Sequence, residues 1–245
     1  MLEYWKSIRM LVKPFKTRVF KEDEELVTFI TEHIASLKNG SILAITSKIV
    51  ALSEGRTALL STSADRDRII KEESEFALRT EHTWLTIKDG AVMASAGVDE
   101  SNADGKLVLL PKDSFATAAK VRTQLQKHYG ITNLGIVITD SRTLPLRRGV
   151  VGVALGYAGF KGIRNYIGTP DIFGRLLKIS RTDVADGIAT AVVLEMGEGN
   201  EQQPLAVVEN APVEWTDSID PNELKISLKD DMYRPLFEHL PDISL

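Results

Sequence analysis

Leu134-Gly135-Ile136-Val137-Ile138-Thr139, followed at once by Asp140-Ser141-Arg142, is the stretch that decides the fold. Six residues without a charge, three of them β-branched aliphatics, read as a strand buried on both faces. Such a strand needs covering layers on both sides, and the flanking sequence offers them. A helix is predicted from Asp113 to Tyr129, stopped by Gly130. A second short apolar run, Ser41 to Thr46, repeats the pattern and leads into Ser47-Lys48. Before it, Leu26, Val27, Phe29, Ile30, Ile34 and Leu37 recur at helical spacing up to Asn39-Gly40.

Further out, the charged segment from Ser63 to Thr80 is predicted as one amphipathic helix. Trp84–Ile87 and Ala91–Ala94 flank Lys88-Asp89-Gly90 as a hairpin, because Asp-Gly suits the tight turn between twisted strands. Leu176–Ser180 and Leu205–Val208 are predicted strands. Between them Thr182 is expected to cap an Ala-rich helix, Asp183 to Met196, ending at Gly197. A C-terminal helix, Lys229 to Leu240, is expected to be bent at Pro235. This mixture of hairpin and α/β units indicates an α+β or mixed α/β fold.

The 245 residues are 43% apolar and 26% charged, enough to bury a sizeable core in one large domain or two closely joined lobes. A net charge of −4 gives no basic surface for nucleic acid. The absence of cysteine removes thiolate metal sites and cysteine nucleophiles. The N-terminal stretch lacks a signal-peptide pattern, and the longest weakly polar run, Val150 to Phe160, is about half a membrane span. The expectation is a cytoplasmic protein without a membrane partner.

Three polar segments follow regular elements and are the candidate sites. AGVDESN (96–102) carries Asp99, Ser101 and Asn102. TDSRTLPLRRG (139–149) carries Asp140, Ser141, Arg142, Arg147 and Arg148. MGEGNEQQ (196–203) carries Glu198 between two glycines. Their donors are oxygens, which suit Mg²⁺ or Mn²⁺ rather than zinc. Each residue also has a plain structural reading. Asp140 could cap a turn, Asp99 could form an Asx turn, Glu198 could be a solvated loop residue and Arg147-Arg148 a surface pair. Glycines 149, 152, 156, 159 and 162 spell no phosphate-binding fingerprint and are read as sites of close backbone packing. His33, His82, His128 and His239 lie outside all three segments.

Taken in order, ILAITSKIVALSEGR (42–56), SAGVDESN (95–102), LLPKD (109–113), IVITDSRTLPLRRG (136–149), PDIFGRLLKIS (170–180), VADGIATAVVLEMGE (184–198) and PLAVVEN (204–210) resemble the γ-glutamyl ligases that act on coenzyme F420-0. The resemblance covers about residues 40–210. It implies the unusual mixed α/β fold of that family, with two intertwined lobes in a homodimer. It also implies a GTP- and divalent-metal-dependent ligase that activates an acceptor carboxylate as an acyl phosphate and joins it to L-glutamate. K⁺ is a further candidate ion.

Carried over by motif, Asp99, Asp140, Ser141 and Glu198 match metal-ligand positions. Ser47, Lys48, Asn102 and the loop Met196, Gly197, Glu198, Gly199, Asn200, Glu201, Gln202 and Gln203 match nucleotide contacts. Arg147 and Arg148 are our own candidates for the positive charge that phosphoryl transfer demands, beside the catalytic pair Asp99 and Asp140. The chain departs from the family pattern at Leu52 (commonly lysine), Arg142 and Leu146 (commonly Phe and Trp), Ser141 (usually threonine) and Glu198 (generally glutamine). Two alternatives stay open: the same chemistry on a folate-like or peptide carboxylate, and a non-catalytic nucleotide-binding relative.

Overall fold

A computed structural model describes residues 9–59 and 62–237. Its centre is a five-stranded mixed sheet in the order β1 (Leu11–Phe15), β12 (Leu205–Glu209), β2 (Ser41–Thr46), β8 (Leu134–Thr143) and β9 (Val150–Ala158). Only β2 and β8 run parallel; the other neighbours are antiparallel. The strands alternate across two cores. Leu43, Ile45, Ile136, Ile138, Leu205 and Val207 face α1 (Leu26–His33), α2 (Ser47–Ser53) and α4 (Ser114–Tyr129). Ile42, Ala44, Val137, Ala206 and Val208 face α5 (Val184–Met196), which contributes Ile188, Ala189, Val192 and Met196. The central strands are thus apolar on both faces because each face is covered.

Between α2 and α4 the chain builds a smaller unit. It consists of β3 (Thr57–Leu59) paired with β7 (Lys106–Val108), α3 (Ser63–Glu72), and a meander of β4 (Phe76–Arg79), β5 (Trp84–Lys88) and β6 (Ala91–Ala94). Ile69, Ile70, Trp84, Val98 and Leu107 form its core. A two-stranded arm, β10 (Ile163–Asn165) with β11 (Arg181–Asp183), and a short α6 (Arg234–Phe237) complete the fold. The architecture is α+β, as expected.

The 113–129 helix, the 41–46 strand and the 84–94 hairpin fall where the sequence places them. Asp113 caps α4, and Gly130 closes it in the left-handed conformation (φ 66°). Asp89 and Gly90 both take positive φ, as a tight hairpin turn requires.

Five expectations need correction. The 63–80 helix stops at Glu72, because Phe76–Arg79 pairs with β5 and places alternate residues on the small core. The 26–37 helix stops at His33, although Ile34 and Leu37 are still buried. Asn39 is used instead as an acceptor for the backbone N–H groups of Thr132 and Asn133. Residues 176–180 form no strand; Asp171 folds this segment into turns by accepting from the N–H groups of Phe173 and Arg175. Asp183, not Thr182, caps α5 by accepting from Asp186 N–H. The C-terminal helix is two short turns, Leu228–Asp230 and Arg234–Phe237, with Pro235 in the first turn of the second; residues 238–240 lie outside the described residues.

The glycine-rich strand β9 packs as expected. A Cβ on Gly152 would lie 2.3 Å from the Ala189 carbonyl oxygen, and one on Gly156 would lie 2.5 Å from the Ser114 carbonyl carbon. Bare backbone at these positions lets α5 and α4 settle on opposite faces of one strand.

Candidate active site

Asp140 does not cap a turn. The apolar run ends at Ile138, but the ladder continues to Thr143, so Asp140 sits inside β8 opposite Val153. A register shift lies between Ile138 and Thr139. Such a bulge re-aims the side chains that follow it. Ser47, the first residue of α2, donates its hydroxyl to Asp140 Oδ1 at 3.2 Å. Burial pushes the Asp140 carboxyl above the usual carboxylate range, and nearby Asp99 adds to that. The Ser141 N–H, the charge of Arg142 and the Ser47 hydroxyl oppose the shift without cancelling it.

Asp99 reaches the same region from the smaller unit, where its backbone bridges Val108. It does form the Asx turn, accepting from Ser101 N–H at 2.8 Å. The same carboxylate also binds Lys48 Nζ at 2.6 Å. Lys48 in turn donates to the Ser101 carbonyl at 2.5 Å and its hydroxyl at 3.1 Å. Burial alone would raise the Asp99 carboxyl, but the Lys48 ammonium and the Ser101 donors outweigh it, and its pKa ends below the ordinary value.

The third segment closes on the first two. Ser141, on the opposite face of β8 from Asp140, donates to Glu198 Oε2 at 3.1 Å. Asn102 Nδ2 donates to the Gly199 carbonyl at 3.2 Å. Residues far apart in sequence are therefore held together by α2, β8, the end of α5 and the 99–102 loop. Ala96, Asn102 and Gln202 take left-handed backbone conformations at φ 52°, 49° and 56°. Strained backbone of this kind concentrates at functional sites.

Not every predicted residue joins the group. Arg147 and Arg148 lie in the exposed turn between β8 and β9, without a side-chain partner among the described residues. Met196 is buried in the core beneath α5, so its side chain is structural. Glu201 organises its own loop by accepting from Gly199 N–H at 2.8 Å, and the Gln202 carbonyl accepts from Thr17 N–H. Asn200 is exposed.

Three buried polar atoms of the predicted segments have no hydrogen-bond partner, Thr139 Oγ1, Arg142 Nε and Gln203 Oε1, a feature the sequence could not show. All three belong to the segments that converge here, and unsatisfied buried groups are rare enough to need a reason. Gln203 is among the expected nucleotide contacts, and Arg142 is in the 139–149 segment; Thr139 has only the adjacent Asp140 as a signal.

A hard divalent cation fits this donor set in one particular manner. Asp99 and Asp140 offer carboxylates, Ser141 on the other face of β8 offers a hydroxyl, and among the described residues no cation forms an ion pair with Asp140. Among the described residues no three carboxylate or imidazole side chains form a group that could hold a metal ion. The protein alone thus supplies too few ligands for a closed cage. One or two carboxylates completed by phosphate oxygens is the arrangement magnesium favours.

The family model described as F420-0:Gamma-glutamyl ligase matches residues 14–210. The chain belongs to the F420-0:gamma-glutamyl ligase family. Proteins named coenzyme F420:L-glutamate ligase are similar over most of their length. The one from Methanococcus maripaludis is 31% identical across 87% of this chain and 92% of its own. That from Methanopyrus kandleri is 32% identical across 82% and 86%, and that from Archaeoglobus fulgidus 30% identical across 88% and 92%. The family match spans every segment that converges here: Ser47-Lys48, 96–102, 139–149 and 196–203. No helix among the described residues is long and apolar enough to cross a membrane.

Proposed function

We propose that the protein is a GTP-dependent ligase that joins L-glutamate by an amide bond to the carboxylate of coenzyme F420-0. The observation that carries this reading is that separate segments converge at one end of the β8 strand, Ser47 on Asp140, Lys48 on Asp99 and Ser141 on Glu198, in a chain of this family. In the first step a carboxylate oxygen of the acceptor attacks the terminal phosphorus of GTP. The bond to the bridging oxygen breaks, and its electron pair leaves with GDP. In the second step the glutamate amine attacks the acyl carbon, the carbon–oxygen bond to phosphate breaks, and the amine gives up a proton. No protein nucleophile is needed, in keeping with a site that has neither cysteine nor histidine.

Phosphoryl transfer asks a protein mainly for positioning and charge. Asp99, Asp140 and Ser141, with Glu198 beside them, would hold Mg²⁺ or Mn²⁺, which when bound neutralises charge on the phosphate oxygens. Lys48 exchanges Asp99 for a phosphate when the nucleotide arrives. The 196–203 loop and Asn102, already joined through Gly199, close over the nucleotide. Glu198, a carboxylate where glutamine is general, ties nucleotide affinity to metal more tightly than an amide would. Arg147 and Arg148 contribute only if their exposed turn folds inward.

We also assign a homodimer. Ile172, Phe173, Leu176 and Ile179, in the arm between β10 and β11, are 92, 81, 63 and 85% exposed. Such a run of exposed apolar side chains is a surface that a second copy would cover. A second acceptor class, a folate-like or peptide carboxylate, is favoured by one observation: Arg142 and Leu146 stand where the family commonly carries aromatic residues. Mass spectrometry of products formed with GTP, Mg²⁺ and glutamate separates the two. Product with F420-0 supports the first reading, and product only with a folate or peptide replaces it.

A further inference from the structure

Arg142 is a charged residue of the β8 segment to which the chemistry above gives no part. It stands two residues beyond Asp140, so strand alternation puts both side chains on one face of the sheet, with backbones about 7 Å apart. Its Nε is buried while the residue as a whole stays partly exposed, and burial pulls its pKa below the usual arginine value, with Asp140, Asp186 and Asp89 acting in the opposite direction. Yet Nε has no hydrogen-bond partner, and among the described residues no carboxylate lies within ion-pair distance of the group. That Nε has lost hydration without gaining an acceptor, and the rest of the guanidinium is left for a ligand. Its planar fork matches a carboxylate, which it can grip through two parallel hydrogen bonds.

Location decides which anion it takes. The nucleotide side of the site is occupied by Lys48, Asn102 and the 196–203 loop. Arg142 lies further along β8, on the side of the β5–β6 turn that carries Asp89. Side chains at neighbouring same-face positions of a strand can converge, so a carboxylate on Arg142 can reach the roughly 3–3.5 Å attack distance from a phosphoryl group bound at Asp140. We propose that Arg142 binds the reacting carboxylate of the acceptor and aims it at the terminal phosphate of the nucleotide. One carboxylate oxygen forms the bond to phosphorus while the other stays on the guanidinium. The proposal rests on the ligase reading and adds the residue that fixes the acceptor.

The test uses full-length Arg142→Met and Arg142→Lys, with thermal melting to check folding. GTP affinity is measured by calorimetry with Mg²⁺, and KM and kcat with F420-0 at saturating glutamate. Arg142→Met should raise the acceptor KM roughly tenfold to a hundredfold, the loss expected for a charge-assisted bidentate contact, and leave GTP affinity within about twofold. Arg142→Lys should fall between, since it keeps the charge and loses the fork; it carries the test if the methionine variant does not fold. An acceptor KM that changes less than about twofold overturns the assignment. So does GTP affinity falling as far as acceptor affinity, which would make Arg142 a support for Asp140. A wild-type protein that ligates while Arg142→Met is unchanged contradicts this proposal alone. A wild type that forms no product with F420-0 contradicts the F420-0 reading, and this assignment falls with it.

Discussion

Lys48 Nζ lies 2.6 Å from Asp99 Oδ2, so the carboxylate proposed above as a metal ligand is already paired with a lysine. Under that proposal the two cations compete for one carboxylate, and the lysine released would become available to phosphate. Replacing Lys48 by Met should therefore have two effects of opposite sign. Binding of Mn²⁺ without nucleotide should tighten severalfold as the competitor is lost. Binding of GTP with metal should weaken by about tenfold or more, the cost of losing a charge-assisted contact. Calorimetry on both ligands checks this, and a variant in which both affinities move the same way contradicts the exchange.

Asp140 predicts a conflict between stability and function. Its carboxyl is held above the ordinary value of 3.8. The folded state therefore keeps a proton that the unfolded chain releases, so ionisation costs stability. The cost is absent below the ordinary value, grows as pH rises toward the folded pKa, and is fully present above it. Asp140→Asn should raise the melting temperature of the metal-free protein at pH 7.5 by about 2–4 °C, the shift given by roughly 1 kcal/mol in a chain of this size. The gain should disappear near pH 3.5, and ligation should be lost throughout. A variant that melts lower at pH 7.5 would show that the carboxylate is better satisfied than its surroundings indicate.

Glu198 accepts a hydrogen bond from the Ser141 hydroxyl at 3.1 Å and is proposed above as part of the metal-holding group. Glu198→Gln removes a full negative charge and keeps the shape. Mn²⁺ affinity should fall by about tenfold, while GTP binding without metal should strengthen as repulsion between anions is relieved. Titrations with and without chelator measure both. Unchanged metal affinity would place Glu198 outside the ligand set.

Gly152 tests the packing beneath the site. Its missing Cβ leaves room for the Ala189 carbonyl, and an added methyl would sit 2.3 Å from that oxygen. Gly152→Ala should destabilise the protein by about 1–3 kcal/mol through forced backbone shifts. It should also loosen the registry of α5 on β9 that positions Glu198. Urea denaturation gives the first effect. Wild-type stability would mean that α5 can move freely, against the tight packing described.

Much of this was legible in the sequence because local signals and tertiary packing agree there. Leu134–Thr139 and Ser41–Thr46 are apolar on both faces since both faces are covered, and Asp113 with Gly130 brackets α4. Phe76–Arg79 was illegible because its pairing with Trp84–Lys88 outweighs the helical look of the preceding charges. The contents of the candidate site could be named by motif, but its wiring could not. Lys48 and Asp99 are 51 positions apart, and Ser141 and Glu198 are 57 apart. The charge of Asp89, which acts on Arg142 from the β5–β6 turn, is likewise revealed by no spacing along β8.

The central claim is that Asp99 and Asp140 serve amide-bond formation between F420-0 and glutamate. Its most direct test is mass spectrometry of F420-0 incubated with GTP, Mg²⁺, L-glutamate and either the wild-type protein or Asp140→Ala. The account predicts a product heavier by one glutamate residue, formed with release of GDP and phosphate by the wild type and absent with a folded Asp140→Ala. Product formed equally by both proteins, or by neither, would contradict it.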